Sequence, residues 1–111
     1  MAYSLDRLAH QIQKELSIML LNDIKDTKIG YITITEVRLT NDLSYAYIYF
    51  TIMGGKERID VALEGLNRAK GYMKNEIAKK VKMRKVPEFI FKYDESLEYG
   101  NKIGKMIDEL K

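Results

Sequence analysis

The sequence predicts an α+β protein in which helices pack on one face of a small mixed sheet. Three observations support this prediction. Apolar residues recur at helical spacings near the start of the chain, two neighbouring segments alternate between apolar and polar residues, and helical spacing returns after a Gly-Gly pair. The 111 residues contain no linker or repeat, so we expect one domain over 1–111.

The first element is an amphipathic helix over about Ser4 to Ile24. Ser4 is placed to cap the free amides of its first turn, and Asp6 suits the positive end of the helix dipole. The polar stretch 22–30 then ends the helix and turns the chain. The apolar positions, at spacings of three and four, are Leu5, Leu8, Ile12, Leu16, Met19 and Leu20.

Two antiparallel strands follow. The first, Tyr31 to Leu39, changes the phase of its alternation between Ile34 and Val37, which predicts a β-bulge near Thr35-Glu36. A short polar turn at 40–42 leads into the second strand, at about 43–52. One face of that strand is apolar, and the other carries Tyr45, Tyr47, Tyr49 and Thr51.

Two further helices are predicted, separated by an interruption at Ala69-Lys70-Gly71. The earlier one begins near Lys56, and the later one places Met73, Ile77 and Val81 on one stripe with a solvated basic face opposite. Gly71 is expected to cap the earlier helix and to permit a kink, leaving the amides of the following turn free to bind an anion.

The chain then returns to the sheet. Pro87, the single proline, prevents helix from continuing through Val86, and a third strand is predicted at 88–94. An additional C-terminal helix is expected over about 97–110.

Positive charge is concentrated in the segment 66–86. Eight of the nineteen Lys and Arg residues lie there with one acid, Glu76, so the segment carries +7, and the remaining eleven basic and fifteen acidic residues give −4. Such a field attracts a polyanion. The eight are Arg68, Lys70, Lys74, Lys79, Lys80, Lys82, Arg84 and Lys85.

Several classes of function are disfavoured. With no cysteine, no metal-ligand cluster, no phosphate-loop signature and no dinucleotide fingerprint, we expect no cofactor and no metal. His10, the single histidine, is not part of a motif that would pair it as a catalytic base with Ser4, Asp6 or Ser96. We therefore expect that the protein is not an enzyme. The chain has no secretory signal and no apolar run long enough for a membrane span, and we expect a cytoplasmic protein.

The order of elements up to the third strand resembles that of the type II KH domain, a nucleic-acid-binding fold. KH modules place a Gly-rich loop between the central helices, whereas this chain has Ala69-Lys70-Gly71 there. With that departure, the chain resembles the ribosome-binding factor A family, bacterial assembly factors of the small ribosomal subunit. The matching runs are 11–16 (QIQKEL), 32–37 (ITITEV), 66–74 (LNRAKGYMK), 84–89 (RKVPEF) and 91–98 (FKYDESLE).

The resemblance implies a monomeric, non-catalytic factor that binds free small subunits late in maturation. It would contact the ribosomal RNA and aid its processing near the 5′ end. Phosphate contacts would supply affinity without reading sequence, and the planar guanidinium of Arg84 suits a bidentate contact. The candidate RNA-binding residues are Arg68, Lys70, Gly71, Lys74, Lys79, Lys80, Lys82, Arg84 and Lys85.

Two other interpretations remain open. One is a generic KH-type binder of single-stranded RNA with no ribosomal target, and the other is a protein-interaction module that uses its strand surface. The tyrosine row Tyr45, Tyr47 and Tyr49 fits either base stacking or packing in a half-buried strand, and packing is the preferred interpretation.

Overall fold

A computed structural model describes residues 4–24 and 31–96. The predicted helix over about 97–110 lies outside these residues. No helix in the described part has the length and apolar character needed to cross a membrane. The elements, in order, are α1 (Leu5–Asn22), β1 (Ile32–Leu39), β2 (Tyr45–Ile52), α2 (Glu57–Lys80) and β3 (Glu88–Tyr93).

Helix α1 forms as its sequence predicts. The Ser4 side chain accepts a hydrogen bond from the Arg7 amide at 3.1 Å, so Ser4 is the N-cap. The buried residues of α1 follow the expected spacing and turn one stripe toward the sheet: Ala9, Ile12, Leu16 and Met19.

The three strands form one mixed sheet in the order β1-β2-β3. Strands β1 and β2 are antiparallel, while β2 and β3 are parallel. The register between β1 and β2 shifts between Ile34 and Glu36, which confirms the predicted bulge. The extra residue lets both Ile34 and Val37 face the core although they are three positions apart.

The β1–β2 turn is held by one carboxylate. Asp42 accepts hydrogen bonds from the Thr40 hydroxyl at 3.0 Å and from the Ser44 amide at 2.9 Å. Leu43 between them has a φ of 60°. This turn fixes where β2 begins, and with it the position of the tyrosine row.

Both helices pack on one face of the sheet. The described residues contain one cluster of buried apolar side chains, which joins α1, α2 and the inward-facing residues of all three strands. From the sheet it includes Ala46, Ile48, Phe50, Phe89 and Phe91, all at most 6% exposed. The alternate residues of β2 and β3 therefore lie on the opposite, outer face. This arrangement confirms the α+β, KH-like fold.

The predicted separation of two central helices is wrong, because α2 runs without a break from Glu57 to Lys80. Gly71 lies inside this helix, and a Cβ added there would meet no atom within 4 Å. It therefore neither caps a helix nor allows a close approach. The buried residues Leu66, Met73 and Ile77 keep one helical phase across Gly71, and their burial outweighs the weak helix propensity of glycine.

Helix α2 also ends well before Pro87. Val81, the C-cap, is extended, with φ −119° and ψ 123°. Lys82, Arg84 and Lys85 consequently lie in the connection between α2 and β3 and not on a helix.

Candidate nucleic-acid interface

Four of the five candidate cations in α2 lie on two flanks of the helix, while the fifth, Lys80, lies about 80° from Lys70 and about 100° from Lys79 around the axis. Lys70 and Lys74 are one turn apart on one flank. Arg68 and Lys79, eleven residues apart, share a second flank about 150° around the axis at 100° per residue. The predicted continuous basic face is therefore split by the geometry of a single helix.

The first flank adjoins the start of β3. Lys74 Nζ is 3.1 Å from a Glu88 carboxylate oxygen, and Lys70 Nζ is 4.0 Å from the other oxygen. Lys70 Nζ also lies 5.9 Å from the centroid of the Phe91 ring. These two lysine side chains are only 28% and 33% exposed, so they are held close to the protein surface.

Glu88 was not among the residues singled out from the sequence, because it follows the basic segment 66–86 and approaches Lys70 and Lys74 only in the folded protein. No signal in the sequence reveals this contact, because it depends on how β3 packs beside α2. One carboxylate shared by two ammonium groups leaves this cluster with a net charge of about +1.

The two lysines at the end of α2 share another acid. Glu76 lies 3.3 Å from Lys79 Nζ and 3.9 Å from Lys80 Nζ, as i,i+3 and i,i+4 pairs on the helix surface. Such exposed pairs contribute little to stability and exchange readily with other ions. Lys79 is 73% exposed, so its ammonium group is accessible to solvent.

The connection between α2 and β3 leads directly to Glu88 and carries three exposed cations: Lys82, Arg84 and Lys85. It runs beside the β1–β2 turn, because the Glu88 amide donates to the Ser44 carbonyl at 2.9 Å. Hydrogen bonds from Ser44 and Thr40 lower the pKa of Asp42 to about 2, and the positive charge of Lys85 adds to this effect. Lys85 therefore lies near that turn.

We name this group of cations the basic edge. It borders the end of the sheet where β2 and β3 begin, and its members come from one flank of α2 and from the following connection. The basic edge consists of Lys70, Lys74, Lys82, Arg84 and Lys85.

Gly71 does not create the anion site that the sequence suggested. Its amide lies in the interior of a continuous helix, where amides are engaged by the carbonyls four residues earlier. Residues 69–72 therefore lack the free backbone amide groups that the first turn of a helix would offer to an anion.

The outer face of the sheet carries the tyrosine row. Tyr45 is 45% exposed, and Tyr47 and Tyr49 are half-buried. Lys92 Nζ lies 5.0 Å from the Tyr47 ring centroid, and the Arg38 guanidinium lies 5.6 Å from that of Tyr49. Phe89 and Phe91 are in the core, so the aromatic residues of β2 and β3 divide between the two faces.

The hydroxyls considered for catalysis have structural roles. Ser4 caps α1, and the Ser96 hydroxyl and amide both donate to Asp94. His10 is exposed on α1. Across residues 4–24 and 31–96, no cluster of three or more His, Asp or Glu side chains could hold a metal ion.

Comparison with known proteins identifies the family. The family model described as ribosome-binding factor A matches residues 4–107. The chain belongs to the ribosome-binding factor A family. It is 47% identical over 105 residues to ribosome-binding factor A from Staphylococcus carnosus, an alignment that covers 95% of this chain and 91% of that protein.

Solved structures of ribosome-binding factor A share the fold. The crystal structure of the Thermus thermophilus protein superposes with a TM-score of 0.72 at 26% identity, covering 81% of this chain and 94% of that one. A homology model of the Thermus thermophilus protein, fitted into the cryo-EM map of a 30S complex with ribosome-binding factor A, gives a TM-score of 0.67 at 25% identity, covering 82% of this chain and 96% of that one. The resemblance stated from the sequence runs is thus confirmed.

Proposed function

We propose that this member of the family binds ribosomal RNA on free small ribosomal subunits and assists their late maturation. In this proposal residues 1–111 act as one RNA-binding domain, monomeric, non-catalytic and cytoplasmic. Support comes from the family membership and from the Thermus thermophilus relative, which was fitted into a 30S complex. The processing of the RNA near its 5′ end belongs to the same proposal.

The observation that carries the proposal is the basic edge. It contains five cations from α2 and the connection that follows, of which Lys70 and Lys74 pair with Glu88 and Lys82, Arg84 and Lys85 are exposed. A phosphate chain can displace Glu88 from Lys70 and Lys74, because surface ion pairs are weak and phosphate carries more acceptor oxygens. The affinity then falls steeply with added salt.

Of the nine candidate residues, five belong to this surface. Arg68 and Lys79 are more remote, since one RNA backbone would have to pass around α2 to reach both flanks, and Lys80 pairs with Glu76 at the end of the helix. Gly71 offers no side chain and no free amide. We therefore assign the principal phosphate contacts to the basic edge and secondary ones to the other flank.

Assistance of maturation requires no chemistry from the protein. If the basic edge binds one conformation of the immature RNA more tightly than another, binding shifts the equilibrium by that difference in affinity. A tenfold preference corresponds to about 1.4 kcal/mol. This effect is within reach of a few phosphate contacts.

Co-sedimentation tests this function. Wild-type protein should migrate with purified free small subunits and not with whole ribosomes, and the triple variant K70E/K74E/K82E should lose the association. Association with whole ribosomes and free subunits alike, or binding that ignores salt, would favour a generic RNA binder or a protein-interaction module instead.

A further inference from the structure

The tyrosine row begins beside the basic edge. In the parallel register of β2 and β3, Tyr45 lies opposite Glu88, and Glu88 is the residue that pairs with Lys74. Tyr47 lies opposite Ile90, one step further along the outer face. A strand of RNA held at the basic edge would therefore pass within reach of these two rings.

Tyr45 and Tyr47 are arranged to receive flat, apolar groups. Their ring centroids are 6.4 Å apart with an interplanar angle of 31°, and Tyr45 is 45% exposed. Lys92 is exposed and lies over the Tyr47 ring, so a cation accompanies the aromatic surface. Aromatic rings beside cations on an open sheet are how single-stranded nucleic acids are often bound.

Charge distinguishes the two ends of this face. The far end has a net negative charge, because a shallow pocket beside Tyr49 is lined by Glu36, Asp94 and Glu95 with one cation, Arg38, which pairs with Glu36. Hydrogen bonds from Ser96 and Thr35 lower the pKa of Asp94, which keeps its carboxylate ionised. A polyanion is therefore favoured only at the end formed by Tyr45 and Tyr47.

We propose that unpaired RNA bases stack on Tyr45 and Tyr47 while the adjoining phosphates lie on the basic edge. This inference rests on the proposed function and specifies its ligand as single-stranded RNA. Duplex RNA keeps its bases stacked inside the helix, so it gains only the phosphate contacts. The protein should accordingly bind an unpaired strand more tightly than the same strand in a duplex.

The test uses the full chain and a fluorescein-labelled 12-nucleotide RNA, free or annealed to its complement. Loss of stacking on one base weakens binding by about 5-fold to 150-fold. The affinity of Y45A/Y47A should therefore fall at least about tenfold for the single strand and change little for the duplex. Y45F/Y47F keeps both rings and should bind normally. Y31A is the matched control, because Tyr31 is 79% exposed just before β1, at the opposite end of the sheet.

Equal losses on both RNAs for Y45A/Y47A, or no loss on either, would overturn the stacking site. If residues 97–111 or a protein partner cover the rings instead, RNA affinity stays unchanged, which also overturns it. Failure of the stacking proposal can be distinguished from failure of the proposed function. K74E should weaken binding to both RNAs whether or not the tyrosines contribute.

Discussion

Lys74 donates a hydrogen bond to Glu88 at 3.1 Å, tying the second half of α2 to the first residue of β3. Lys70, one turn earlier, reaches the same carboxylate at 4.0 Å. Glu88 thus holds two cations of the basic edge in place in the absence of RNA. It also competes with any phosphate that approaches them.

Replacing Glu88 with Gln should strengthen RNA binding. Lys70 and Lys74 then no longer have to leave a carboxylate, so we expect several-fold tighter binding at low salt. The slope of log affinity against log salt should become more negative by up to about one per additional phosphate neutralised. Fluorescence anisotropy over a salt series measures both quantities.

Glu57→Gln is the control for this change, since it removes the same charge from the start of α2, about 25 Å along the helix from Lys74. Glu57→Gln should increase the RNA affinity by a small, uniform amount. If Glu88→Gln and Glu57→Gln behave alike, Glu88 does not compete with the ligand.

Arg84→Lys tests for a bidentate phosphate contact. The substitution keeps the charge and loses the planar fork, so the affinity should fall by about threefold to tenfold while the salt slope stays unchanged. Arg84→Ala should also reduce the slope by about one. Lys85→Arg, at the adjacent position, should bind as the wild type does, and wild-type affinity for Arg84→Lys would exclude the bidentate contact.

Gly71→Ala should stabilise the protein and leave RNA binding unchanged. The position is helical, exposed and open to a Cβ, and glycine costs about 1 kcal/mol relative to alanine inside a helix. Urea unfolding should therefore give a higher midpoint with an unchanged slope. A loss of stability or of affinity would mean that the helix does break at Gly71 in solution.

Gly54→Ala provides the opposite case. Gly54 has a φ of +116°, and a Cβ there would lie 2.8 Å from Arg58 Cδ, so this variant should be less stable than the wild type. Comparison of the two variants distinguishes a glycine that the backbone conformation requires from a glycine that the helix merely tolerates.

Asp42 should contribute a pH-dependent part of the stability. Its pKa is about 2 in the folded protein against 3.8 ordinarily, because Ser44 and Thr40 donate to the carboxylate. A depressed folded pKa stabilises the native state above about pH 4 and loses that contribution as the pH falls toward 2. Asp42→Asn should therefore flatten the stability curve in this window.

Urea unfolding at several pH values measures this effect. Asn41→Ala changes the same turn without removing a titrating group, so it should keep the wild-type pH profile. Identical curves for wild type and Asp42→Asn between pH 4 and pH 2 would contradict the assignment.

Much of the fold could be predicted because it depends on local patterns. The change of phase between Ile34 and Val37 predicts the bulge, and the serine before the apolar stripe predicts the N-cap of α1. The sequence also contains the pattern that predicts a continuous α2, because Leu66, Met73 and Ile77 keep one helical phase across Gly71. A single glycine does not break a helix whose apolar stripe continues on both sides of it.

The candidate site was less predictable, because it depends on contacts between distant elements. No local pattern reveals that Glu88 faces Lys70 and Lys74, or that one helix divides its cations between two flanks. The position of Tyr45 beside the basic edge likewise follows from the parallel pairing of β2 and β3. Sequence alone predicted the residue types but not their grouping.

The most direct measurement compares two triple variants of equal charge for binding to purified free small subunits across a salt series. K70E/K74E/K85E reverses three cations of the basic edge, and R68E/K79E/K80E reverses the other three candidate cations of α2. We predict that the first abolishes salt-dependent binding while the second weakens it only modestly. Equal losses, or a greater loss from the second variant, would contradict the assignment of RNA binding to the basic edge.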